Sequence, residues 1–355
     1  MELGPKVQVL QEIVRSVADE EAAALMRIVV IGVGRMGVVH AGTLASLPDV
    51  DALVADVDRD RARAVAEELG VEAADDVADA MKGSDAVVIA AATDAHAPLV
   101  HQAADAGLPT FCEKPISLDV ASTADVVAHI GDVGIPFQMG FQRRFDRGFR
   151  AARDLVASGG LGTLYVVRMA GHDPAPPHEA YIPVSGGIFR DFSVHDFDAL
   201  RFVTGQEVVE TYADGGVIGF PVFEKYGDVD TAVATFRLSG GAFGILSVTR
   251  HDPLGYDVRM ELLGSGDSVV VGWDGRMPLR SVEPEAAPAP DDPYPHFQAR
   301  FAEAYRAEME WFVELAAGRR ESPSTAEDAL AALRIAVACG RSRAEHRPVR
   351  LEEVG

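Results

Sequence analysis

Residues Arg27–His40 read RIVVIGVGRMGVVH, in which the apolar run Ile28–Gly32 breaks at three spaced glycines and then resumes. Such a stretch constrains the fold more than any other in the chain, because it reads as strand, tight turn and helix. Gly32, Gly34 and Gly37 form GxGxxG: the first permits the turn, the second lets a pyrophosphate approach the backbone, and the third lets the helix pack on the strand. Phosphates then sit at a helix N-terminus, whose unpaired N–H groups and positive dipole end favour anions. Arg35 and Met36 lie between the last two glycines and join them as candidate cofactor contacts. A second apolar stretch, DALVAD at 51–56, ends in Asp56, 24 residues after Gly32 (56 − 32). That is close to the roughly 20-residue offset of a carboxylate that accepts from ribose hydroxyls, which selects NAD over its 2′-phosphorylated form.

From there the pattern alternates. Strands are expected at 28–32, 51–56, near Val71, at 85–91, 110–112 and 136–140, with helices at 36–46, 59–69, 75–82, 96–106 and 119–130. Unbroken apolar strands separated by helices imply a parallel sheet covered on both faces, so residues 26–147 read as a doubly wound Rossmann domain in an α/β protein. After about Gly148 the strands lengthen (164–170, 231–238, 242–250, 258–263), and Gly240-Gly241 gives the turn of an antiparallel hairpin. Residues 148–355 therefore read as an α+β substrate-binding and oligomerisation domain with an open, mostly antiparallel sheet. Helices are expected at 297–317 and 325–341, a short strand at 349–351, and a proline-rich surface loop at 283–295. Residues 1–25 form an N-terminal extension, either a short amphipathic helix or a segment with no part in the fold, since Met26 opens MRIVVIG as naturally as a start would.

With 355 residues, 48% of them hydrophobic, the chain has material for two domains. A net charge of -23 repels phosphate backbones and anionic bilayers, which excludes nucleic acid and membrane surfaces as partners. Two cysteines, Cys112 and Cys339, make neither a disulfide framework nor a four-cysteine zinc site. With no membrane-length apolar run and no signal-peptide pattern, the expected location is the cytoplasm.

Ligands of open α/β sheets bind beyond the carboxyl ends of the strands. Thr93 and His96 follow one strand, Glu113-Lys114-Pro115 another, and Gln142–Arg144 a third. Pro115 disfavours the helical region for Lys114 and restricts where its ammonium points. In RDFSVHDFDAL, Asp191 and His195 are four apart, on one face of a helix, and a carboxylate in reach of an imidazole can orient it as a general base. His172, His178, Glu179 and His195 lack a recognised ligand spacing, so no metal is expected.

FCEKP at 111–115, MGFQRRFD at 139–146, DFSVHDFD at 191–198 and LGYDVRMELLGSGD at 254–267 resemble the Gfo/Idh/MocA family (glucose-fructose oxidoreductase, inositol dehydrogenase and MocA), from about Met26 to Leu351. The arginine pair and GYD point to its inositol 2-dehydrogenase branch. The resemblance implies an NAD-dependent oxidation of a small-molecule polyol, myo-inositol to the 2-ketone, with Lys114, Asp191 and His195 catalytic, and Thr93, His96 and Glu113 beside the cofactor. Arg143 and Tyr256 would line the cyclitol pocket, and the protein would be a homotetramer or dimer. Asp173 stands where the resemblance implies asparagine; a carboxylate there accepts hydrogen bonds but cannot donate when ionised. It leaves a differently configured sugar or an aminocyclitol as the alternative substrate. A non-catalytic sugar or NAD sensor is the remaining alternative.

Overall fold

The computed structural model describes residues 25–286 and 288–355, so the extension expected over residues 1–25 lies, Leu25 apart, outside the described residues. The first sheet is built from β1 (Met26–Ile31), β2 (Val50–Ala55), β3 (Glu72–Ala74), β4 (Ala86–Ile89), β5 (Thr110–Glu113) and β6 (Phe137–Gly140). Their order is β3-β2-β1-β4-β5-β6, and all pairs are parallel. The reversal of order lies between β1 and β4, where helices α1 (Arg35–Ala45) and α4 (Thr93–Asp105) begin. Between them in sequence run α2 (Arg59–Leu69) and α3 (Val77–Lys82). Strand residues Ile28–Val30 and Ala86–Ile89 are wholly buried, as a sheet covered on both faces requires. Helix α5 (Val120–Val133) leads to β6, and α6 (Arg147–Ala157) carries the chain into the second half.

The second sheet contains β7 (Leu164–His172), β8 (Val208–Gly216), β9 (Thr231–Leu238), β10 (Phe243–Thr249), β11 (Asp257–Gly264), β12 (Ser268–Val271) and β13 (Val349–Arg350). The order β12-β11-β7-β10-β9-β8-β13 is antiparallel throughout except for β7 with β10. Alternation is clean: in β9 every second residue is buried, Phe236 edge-on to Phe197 of α7 (Val194–Thr204), and the others face outward, while α9 (Ala326–Glu345) packs on the neighbouring β8. The expected hairpin at Gly240-Gly241 joins β9 to β10, and Val349 pairs with Thr211. Helix α8 (Ala302–Ala316) does not stay with this sheet. Its Met309, Phe312, Val313 and Leu315 share a core with Ile28, Val30, Val54 and Phe111 of the first. Among the described residues no helix is long and apolar enough to cross a membrane. Cys112 and Cys339 are both free and buried.

Candidate active site

The glycine turn has the shape its sequence demands. Gly32 has φ +88°, and a Cβ there would lie 2.5 Å from the Ala91 Cα; at Gly37 it would lie 1.8 Å from the Gly32 carbonyl oxygen. A Cβ on Gly34 would meet nothing within 4 Å, so the turn is open on the side from which a ligand arrives. The first turn of α1 has no side-chain cap, which leaves its N–H groups for an anion. Asp56 accepts from Val33 N at 2.8 Å, Asp58 N at 2.8 Å and Arg61 Nη2 at 2.6 Å. Burial pushes its carboxyl up, but the Arg61 hydrogen bond and the two amides outweigh it and hold it below the usual range. Arg35 is exposed and lies over the Phe297 ring, Met36 is half-buried, and Thr93 opens α4. These residues fit a dinucleotide: an open glycine turn, an uncapped helix end and an ionised acid at the tip of β2.

Not every residue expected at the cofactor faces it. His96 is 2% exposed, and its two ring nitrogens face the carbonyls of Pro115 and Ala91, at 2.8 and 2.9 Å. It braces one loop against another instead of offering a nitrogen to a ligand. Glu113 is tied to buried His40 at 2.7 Å and accepts from the Lys114 amide at 3.2 Å. The sequence reading missed His40, although its place at the end of the glycine motif, one helical face from Met36, carried the signal.

Lys114 follows β5 directly, beside a cis peptide bond to Pro115. Its ammonium crosses from the first half to the second, donating to the Asp191 carbonyl oxygen at 2.6 Å and to Asp191 Oδ1 at 3.3 Å. The same Oδ1 accepts from the Tyr181 hydroxyl at 2.8 Å, and Oδ2 accepts from Arg250 Nη2 at 2.9 Å. Burial raises the Asp191 carboxyl, yet Lys114 and Arg250 more than reverse this and keep it below its ordinary value.

Here the sequence reading needs correction. Asp191 makes neither hydrogen bond nor ion pair to His195, because the two are not on one α-helix. Residues Ile188–Phe192 form one turn of π-helix after Gly186 and Gly187, both at positive φ, and α7 starts only at Val194. Spacing by four, which faces side chains together in an α-helix, here separates them. His195 instead meets the Phe141 ring edge-on, and its buried Nδ1 has no partner among the described residues. Burial, then the charges of Lys114 and Arg143, hold the imidazole well below its usual pKa, so it is neutral across the physiological range.

Arg143 and Tyr256, expected to line the pocket, are only 3% and 5% exposed. The Arg143 guanidinium pairs with Asp196, over the rings of Phe149 and Phe301, and Tyr256 packs edge-on to Phe297 and Phe301. Little of either is exposed, yet Arg143 is near enough for its charge to act on His195 and Tyr256 near enough to feel the Asp173 charge. Arg144 is likewise buried, forked onto Asp198. Asp173, just beyond β7, reaches the site and stands 3.5 Å from Arg250 Nη1; burial lifts its carboxyl to about 6. The four residues considered as metal ligands do not share partners: His178 caps a turn at Ala180 N, Glu179 pairs with Lys225 and Tyr226, and His172 lies 3.6 Å from both Asp252 and Asp257.

Two family models match the chain: one described as an oxidoreductase family with an NAD-binding Rossmann fold, over residues 26–141, and the GFO/IDH/MocA C-terminal domain, over 149–270. A myo-inositol 2-dehydrogenase of Thermotoga maritima is 36% identical over 340 residues, 93% of this chain and 99% of that one. An inositol 2-dehydrogenase of Rhizobium meliloti is also 36% identical, over 91% and 98% of the two chains. Among solved structures, a scyllo-inositol dehydrogenase of Lactobacillus casei with bound NAD(H) and scyllo-inositol superposes with a TM-score of 0.84 at 29% identity, over 92% of this chain and 99% of that one.

Proposed function

The chain belongs to the Gfo/Idh/MocA family of oxidoreductases, and we propose that it uses NAD to oxidise a secondary alcohol of a cyclic polyol, myo-inositol to its 2-ketone. The observation that carries this reading is the junction of Lys114 with Asp191, at 2.6 Å to the carbonyl and 3.3 Å to the carboxylate. It brings a cation from the end of β5, on the cofactor half, against an acid of the half that would hold the substrate. The two halves divide near residue 147, cofactor before it and substrate after.

NAD, when bound, accepts the hydride from the carbinol carbon; the chain itself handles the proton and the charge. Gly32, Gly34, Gly37 and the uncapped start of α1 would hold the pyrophosphate, and Asp56 the adenosine ribose. His195 is neutral and so able to accept the hydroxyl proton. The Lys114 ammonium stabilises the negative charge that builds on the same oxygen, and its effect is greatest where that charge is most developed, in the transition state. Asp191 does not support the imidazole. Its part is to aim Lys114, through a carboxylate kept ionised against burial by Lys114 itself, Arg250 and Tyr181.

Asp173 does not favour an amine-bearing ring, because Arg250 already opposes its charge. An uncharged polyol suits the site best, and a phosphorylated one would meet Asp173 and Asp191 together. The test is NADH formation on a panel of cyclitols, aminocyclitols, aldoses and their phosphates. We expect myo-inositol to lead and inositol phosphates to give nothing; preference for a phosphosugar would overturn the reading. We also read the protein as a cytoplasmic homo-oligomer, a dimer or tetramer, assembled through the outer face of the second sheet. Support comes from Tyr212, Val233, Phe243 and Ile245, which are 40 to 52% exposed and lie on neighbouring strands.

A further inference from the structure

Arg250 belongs to none of the motifs that mark the site, yet four observations converge on it. It stands immediately after β10, 3% exposed, with its amide held by the Asp230 carbonyl at 2.8 Å. Its Nη2 donates to Asp191 Oδ2 at 2.9 Å. Its Nη1 lies 3.5 Å from Asp173 Oδ2. Its guanidinium plane is steadied 5.4 Å from the centre of the Phe192 ring.

The donors around Asp191 show what this accomplishes. Oδ1 takes Tyr181 and Lys114, the backbone oxygen takes Lys114, and among the described residues Oδ2 takes Arg250 alone. The carboxylate turns about its last bond as one plane, so Arg250 on Oδ2 adds a donor on the side opposite Tyr181 and Lys114, and the plane is held from both edges. The charges then alternate in space: Lys114, Asp191, Arg250, Asp173. Without the guanidinium, two carboxylates would share one ammonium, and Lys114 would be drawn toward both. Lysine in place of Arg250 supplies a charge but not a planar fork that can bridge two carboxylates at once.

We propose that Arg250 is the positioning residue of this site, acting through Asp191 to aim the Lys114 ammonium at the reacting oxygen and through Asp173 to keep that aim from being divided. The proposal rests on the dehydrogenase reading above. It does not touch the dinucleotide turn, so cofactor binding stays outside its reach.

The experiment compares wild type with Arg250→Met and Arg250→Lys by two readouts. The first is steady-state turnover on whichever polyol of the panel the wild type oxidises best. We expect Arg250→Met to lower kcat by at least about 100-fold, the scale of a misplacement of roughly 1 Å, while the KM for NAD stays within about twofold; Arg250→Lys should recover part of the loss. The second needs no turnover. The chain has four lysines, Lys6, Lys82, Lys114 and Lys225, so ¹³Cε-lysine NMR gives four signals, with Lys114 identified by Lys114→Met. In Arg250→Met the Lys114 signal should shift while the other three hold their positions, and a melting temperature matching wild type shows that the variant is folded. An unmoved Lys114 signal, or unchanged kcat beside an active wild type, would overturn the role of Arg250. A wild type inactive on every polyol, with the Lys114 signal still moving in the variant, would instead count against the reaction and leave the positioning intact.

Discussion

Replacing Asp56 with serine tests whether the tip of β2 chooses the cofactor. Three donors already occupy the carboxylate: the Val33 and Asp58 amides and Arg61. A carboxylate has about four acceptor sites, so roughly one remains for a ribose hydroxyl. A hydrogen bond to a charged group contributes about 1.5–3 kcal/mol. At about 1.4 kcal/mol per factor of ten, losing it should lower kcat/KM for NAD by ~10- to 150-fold. The 2′-phosphorylated cofactor should move the other way, because the like charge is gone and Arg61, whose side chain is half exposed, is released toward the phosphate. We therefore expect the NAD-to-NADP preference to fall by about two orders of magnitude or more, measured as kcat/KM for each at saturating polyol. Asp56→Asn is the control for local damage, since its side-chain oxygen still accepts from the turn while the charge is lost. A preference in Asp56→Ser within about threefold of wild type would refute the argument, provided the melting temperatures match.

Lys114→Met should reduce kcat by about 10³-fold or more while leaving NAD affinity, read by fluorescence titration, within about threefold; ordinary turnover would remove Lys114 from the mechanism. Glu308 sits in α8 with no exposure and with both carboxylate oxygens unpaired among the described residues, and burial followed by the nearby Glu113 charge raises its pKa well above 4.5. The folded state therefore holds a proton that the unfolded chain releases above about pH 4.5, so this group costs stability as pH rises, at most about 1.4 kcal/mol per pH unit. Glu308→Gln should flatten the decline of melting temperature between pH 5 and pH 8, and a slope as steep as wild type would show the group to be ionised. Val233→Asp with Ile245→Asp should lower the mass seen by light scattering without loss of fold; an unchanged mass would move the interface off this sheet face.

The first half of the fold was legible almost element by element, because parallel strands buried on both faces leave uninterrupted apolar runs and the glycine turn fixes where they start. The strand at 231–238 was readable for the opposite reason, its strict alternation. The site was legible only in part. Lys114 could be found from its place after an apolar strand, but the partner of Asp191 could not. That depends on a single turn of π-helix after Gly186 and Gly187, and periodicity arguments assume that a helix once begun keeps its pitch. Arg143 and Arg144 looked like site cations in sequence. Their carboxylates, Asp196 and Asp198, were visible too, yet nothing local pairs residues more than 50 apart. Arg250 was the last residue of an expected strand and carried one usable signal, its position at a carboxyl edge where ligands gather.

The return of α8 to the first sheet bears on how the gene can be cut. A fragment ending near residue 147 would hold every cofactor contact proposed for the chain and still lack Met309, Phe312, Val313 and Leu315, which cover Ile28, Val30 and Phe111. It would present that bare groove to solvent, an invitation to aggregate. Transplanting the nucleotide half into another enzyme therefore means carrying residues 302–316 along, spliced back across the span of the second sheet. The same stitch limits how far the two halves can hinge apart, since any wide opening must peel a buried helix from the sheet that binds the dinucleotide.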